Sequence, residues 1–128
     1  MRKLTLWLNL SMVLWVAVVL ALTLLPGRGA LMRMIAQFFG RSEWHGTLGH
    51  MALMASLVAV LFIGMSQMII PRYALLLSVA LVFVIGTLTE IAQGDVYGRS
   101  RTLADLLGNW VGTFAMGYVF SFFIKSRD

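Results

Sequence analysis

Four long apolar runs, separated by short polar stretches, organise this 128-residue chain. The first runs from Leu4 to Leu25, with Thr5, Asn9, Ser11 and Thr23 as its polar members, and stops at Pro26-Gly27, a helix-terminating pair. The others cover about 47–66, 73–93 and 103–124, and Pro71 just ahead of the third suits a helix start. Each run has the roughly 20 apolar residues that a helix needs to cross a hydrocarbon core. The pattern predicts an all-α polytopic membrane protein, one domain over residues 1–128 with four transmembrane helices and no spare length for a soluble domain.

The connections differ in character. Between the first two runs, Leu31, Met34, Ile35, Phe38 and Phe39 recur at helical spacing, with Arg33, Gln37 and Arg41 on the other side. That spacing predicts an amphipathic helix over about 30–40, too short to span and suited to the membrane interface, as a surface connector or a lid. Residues 67–72 read as a tight turn, and residues 94–102 as a short polar loop. Arg2-Lys3 ahead of an apolar run resembles a signal peptide, but the run is about twice a normal h-region and no small-residue cleavage site follows Leu25, so a retained span is expected.

Composition agrees. The chain is 60% hydrophobic and 12% charged with a mean hydropathy of +0.90, too little charge to coat a soluble surface and too much apolar content for disorder. It contains no cysteine, which removes disulfides, thiol nucleophiles and thiolate metal sites. The net charge of +5 does not point to nucleic acid, because the Lys and Arg residues stand in ones and twos between apolar runs, where they meet anionic headgroups. Arg2, Lys3, Arg72, Lys125 and Arg127 fall on one side of a four-span layout and Arg28, Arg33, Arg41, Arg99 and Arg101 on the other, five against five. The basic flank directly before the first span favours cytoplasmic termini.

Ionisable groups within spans are expensive and are functional candidates by default. Here they gather at the ends of runs that alternate in direction: His50 early in the second, Glu90 and Gln93 late in the third, Asp105 and Asn109 early in the fourth. At 1.5 Å per residue each lies roughly 3–9 Å inside its span end, so all five reach one membrane face. Asp105, Asn109 and Gly112 share a helical stripe, and Gly86, Glu90 and Gln93 repeat the spacing. In this reading Arg99 is the counter-ion of the two carboxylates or an anion anchor, Arg101 a second anion contact, and Gln93 and Asn109 orient the pair. The bland reading is a structural ion network, with Thr102 and Asp105 forming a capping box. Glu43 and Asp95 join Glu90 and Asp105 in putting four of the five acidic residues on that face. The tryptophans read as packing or belt residues, the nine methionines as core filler, and Gly108, Gly112 and Gly117 as a packing face.

The ordered set Glu90-x-x-Gln93, Arg99, Thr102, Asp105, Asn109, Gly112 resembles the C-terminal signature of the VanZ-like family, and His50 resembles that family's helix-initial His. The seven signature positions span about a fifth of the chain, and the four-span layout extends the likeness to nearly all of it. Departures are Gly46-Thr47 where the family often has Asp-Lys, Tyr97-Gly98 where it often has Pro-Gly, and a second glycine displaced to Gly117. The resemblance implies a bacterial membrane protein; the namesake is linked with low-level resistance to the glycopeptide antibiotic teicoplanin.

Three functions are therefore in view. The first is a non-catalytic cell-envelope protein whose polar pocket binds a membrane lipid headgroup or a lipid-linked envelope precursor, alone or with a second copy or another membrane protein. The second is an intramembrane enzyme with His50, Glu90 and Asp105 as acid and base. The third is a small proton-coupled exporter, disfavoured because its carboxylates lie near one face. His50, Glu90 and Asp105, with His45 folded in, are the conceivable metal ligands, but no H-E-x-x-H or paired-His motif is present, and neither a metal nor another cofactor is assigned.

Overall fold

The computed structural model describes residues 2–26, 29–40, 42–96 and 98–126, apart from the side chains of Arg2, Met32, Phe39 and Glu43. Expectations resting on Arg28, Arg41, Tyr97, Arg127 and Asp128, and on the Arg2 and Glu43 side chains, lie outside the described residues. Among the described residues five helices follow one another: α1 (Arg2–Leu24), α2 (Ala30–Phe39), α3 (Glu43–Met65), α4 (Pro71–Gln93) and α5 (Leu103–Lys125). All but α2 are long and apolar enough to cross a membrane, which makes this an all-α, multi-pass membrane chain.

The helix boundaries follow local chemistry. Pro71 opens α4, and Thr102 caps α5 by accepting the Asp105 N–H at 3.0 Å. The start of α3 differs from the sequence expectation of about residue 47. Ser42 is the N-cap, and its hydroxyl accepts from the His45 N–H, so the helix begins at Glu43, one turn earlier. The first turn of α3 therefore absorbs the end of what reads as a loop.

α3 and α5 make the most extensive contact, α4 packs against both, and α1 lies against α3 and α4. Glycine sets the α3–α5 approach. A Cβ on Gly112 would stand 2.9 Å from both the Cα and the carbonyl carbon of Met51, and one on Gly108 would stand 3.0 Å from the Thr47 carbonyl oxygen. The apolar core is small: Val19, Met54, Leu57, Val58, Leu61 and Val82. The buried stripe of α4 is mostly small or polar (Ala74, Ser78, Val82, Gly86, Thr89, Glu90, Gln93), while Leu76, Val84, Leu88 and Ile91 face outward. Polar inside and apolar outside is the arrangement lipid demands.

α1 is peripheral. Leu4, Leu6, Trp7, Leu10, Val13 and Leu14 are exposed, and Trp15 anchors the middle of the helix by donating its indole N–H to Ser56 at 3.0 Å. α2 packs on none of the four long helices to a comparable extent and turns Met34 and Phe38 outward.

Candidate functional site: a buried polar cluster at one face

The cluster is built from three helix ends. α3 runs away from this face, α4 returns to it, and α5 leaves it again, so His50, Glu90 and Asp105 meet although up to 55 residues separate them in sequence. One ring nitrogen of His50 and one oxygen from each carboxylate lie within 4.8 Å of one another. Glu90 is 1% exposed and His50 8%, while Asp105 is half-buried.

Each member is held by a specific bond. Glu90 Oε1 accepts the Thr102 N–H at 2.7 Å. In a capping box the residue at N3 would take that N–H; here Glu90 of α4 takes it, and Asp105 accepts instead from the Thr47 hydroxyl at 2.8 Å. The expected capping box is thus half formed, and α4 supplies the other half. Asn109, fully buried, donates its amide to the Gly86 carbonyl at 2.9 Å and turns its Oδ1 to His50 Nδ1 at 3.0 Å. A carbonyl oxygen only accepts, so this network puts a proton on Nδ1 and leaves Nε2 of a neutral imidazole with a free lone pair.

One group has no such bond. Glu90 Oε2 is buried with no hydrogen-bond partner among the described residues. Burying a carboxylate oxygen without a partner is costly. A second carboxylate nearby adds to this, since two unit charges about 5 Å apart at an effective ε of about 20 repel by about 3 kcal/mol. A cation or a hydrogen-bond donor at Oε2 would relieve it.

The other sequence candidates go elsewhere. Gln93, 1% exposed, donates its amide to the Thr23 carbonyl at 2.7 Å and so reaches α1, where the sequence reading has it orienting the carboxylates. Arg99 donates Nε to the Leu25 carbonyl at 3.2 Å and Nη2 to the Leu22 carbonyl at 2.7 Å, where the sequence reading has it pairing with the two acids. It caps the open end of α1. Burial pulls the Arg99 guanidinium below its ordinary value, with the fields of Asp105 and then Glu90 acting against that. Arg101 is exposed, its guanidinium carbon 3.6 Å from where a Gly94 Cβ would stand at the end of α4. His45 is exposed on the first turn of α3 and hydrogen-bonds Ser42, so it stands outside the cluster.

Thr47 is the cluster residue that sequence reasoning passed over. The signal is present, since Thr47, His50, Met51 and Met54 share the α3 stripe that meets the α5 glycines and Gly86. Comparison with family models, with curated proteins and with solved structures finds no match.

Proposed function

We propose that this protein binds the polar headgroup of a membrane lipid or of a lipid-linked envelope precursor at the face where α3, α4 and α5 meet. The observation that carries the reading is Glu90 Oε2, buried and without a partner beside His50 and Asp105. A headgroup hydroxyl or ammonium would supply the missing donor, and Arg101, exposed beside the last turn of α4, would meet its phosphate. The VanZ-like resemblance supports an envelope precursor as the ligand class, a bacterial cell (inner) membrane as the location and a link with glycopeptide resistance, and the basic flank before α1 supports cytoplasmic termini.

The test is lipid co-purification in mild detergent, followed by mass spectrometry of bound lipid. Glu90→Gln and Arg101→Ala should each deplete a specific lipid relative to the bulk extract. Unchanged bound lipid in both variants would refute the proposal.

The closeness of His50 to two carboxylates favours a second reading, an intramembrane enzyme using them as general acid and base. Lipid-extract products formed by the native chain and absent with His50→Ala would select it.

A further inference from the structure

The same three side chains carry an inference that goes beyond headgroup binding. We propose that His50, Glu90 and Asp105 form a binding site for a divalent transition-metal ion of the zinc class. Imidazole nitrogen with carboxylate oxygen is a donor set that suits such ions, and three protein ligands leave a coordination position open.

Four independent features of the cluster converge on a cation. One ring nitrogen of His50 and one oxygen of each carboxylate already lie within 4.8 Å of one another. Metal–ligand bonds of about 2.0–2.2 Å place tetrahedral ligand atoms about 3.4 Å apart, so the three must draw in by up to about 1.4 Å, within reach of side-chain rotation. Second, the buried Glu90 Oε2 has no hydrogen-bond partner among the described residues, so the oxygen that would move is uncommitted. Third, Asn109 holds His50 by Nδ1 and is itself fixed by the Gly86 carbonyl, leaving Nε2 as the ligand nitrogen. That is the supporting bond metal-bound histidines carry, one which sets tautomer and ring direction together. Fourth, the remaining carboxylate oxygens are braced, Glu90 Oε1 by the Thr102 N–H and Asp105 Oδ1 by the Thr47 hydroxyl.

The site does not depend on the headgroup reading. A headgroup phosphate entering the open position would place an anionic oxygen on the ion, whereas without a metal the headgroup must offer donors to Oε2.

The test uses the full chain in lipid nanodiscs, free of any polyhistidine tag, with Zn2+ alone as the probe. Bound zinc is measured by elemental mass spectrometry after gel filtration, and affinity by competition with a fluorescent chelator. The native chain should hold about one zinc, and Glu90→Gln and His50→Gln should each weaken binding at least about tenfold. Glu90→Gln keeps an oxygen for the Thr102 N–H, so it preserves the fold, as an unchanged helical spectrum and elution volume will verify. His45→Ala, which removes the exposed histidine outside the cluster, should leave binding intact. Equal zinc in the native chain and in Glu90→Gln, or loss of zinc in His45→Ala, would overturn the site. A native chain that holds zinc at this site while its bound lipid is unchanged in Glu90→Gln and Arg101→Ala would instead count against the headgroup reading alone.

Discussion

Gly112 offers a test of the fold that the cluster depends on. Substituting alanine places a Cβ 2.9 Å from the Met51 Cα and carbonyl carbon. Ordinary carbon–carbon contacts sit at about 3.5–4.0 Å and the Met51 carbonyl oxygen stands closer still, so the α3 and α5 backbones must separate by at least about 0.6–1 Å. Overpacking of this kind costs about 1–3 kcal/mol. Alanine also gains about 0.5–1 kcal/mol over glycine inside a helix. The internal control is Gly49→Ala on the exposed side of α3, where an added Cβ meets nothing within 4 Å and the helix gain stands alone. Reversible unfolding in mixed micelles with rising dodecyl sulfate, followed by circular dichroism, should show Gly49→Ala more stable than the native chain and Gly112→Ala less stable. The gap between the two variants should be about 1–3 kcal/mol, the overpacking term itself. A gap under about 0.5 kcal/mol would refute the close α3–α5 contact. Because Met51 adjoins His50, the same separation should loosen the cluster.

Asn109→Leu removes the buried acceptor of His50 and the donor to the Gly86 carbonyl, and should destabilise the bundle by about 1–3 kcal/mol in the same assay. Gln93→Leu should raise hydrogen exchange at the C-terminal turn of α1 without changing the His50 cluster, because its bond runs to the Thr23 carbonyl. Arg99→Lys should do the same more strongly, since one ammonium cannot hold the Leu22 and Leu25 carbonyls in the guanidinium's geometry. The chain has no cysteine, so single-cysteine variants at Ser126 and Asp95 should react with impermeant reagents from opposite sides of a sealed membrane. Labelling of both from the same side would refute the crossing of the membrane by α5.

The spans were legible in the sequence because apolar length is a sufficient signal, and the Pro71 and Thr102 starts because their chemistry is local. The convergence of His50, Glu90, Asp105 and Asn109 was also readable, from alternating span direction and helical stripes. The directions of Gln93 and Arg99 were not. Gln93 lies three residues from Glu90, about 60° around the helix, so a stripe argument puts both on one face. With helices on two sides of α4, that offset is enough to send Glu90 to α5 and Gln93 to α1. For Arg99, counting charges favoured the acids, but the unsatisfied carbonyls at the end of α1 compete for the same guanidinium, and their position follows only from packing. The early start of α3 turned on whether Ser42 caps, a choice the apolar pattern does not register.

The bonds that close the C-terminal end of α1 come from residues far downstream: Gln93 follows Thr23 by 70 positions, and Arg99 follows Leu22 by 77. At about 5–20 residues per second, a ribosome makes α1 roughly 4–15 s before its two anchors exist. Once α3 is made, its packing and the Trp15–Ser56 bond hold the middle of α1, but the carbonyls at the C-terminal end still lack their donors. That end is therefore closed late, when the end of α4 and the following loop arrive, and a truncation ahead of residue 93 should leave α1 inserted and docked on α3 with its last turn frayed.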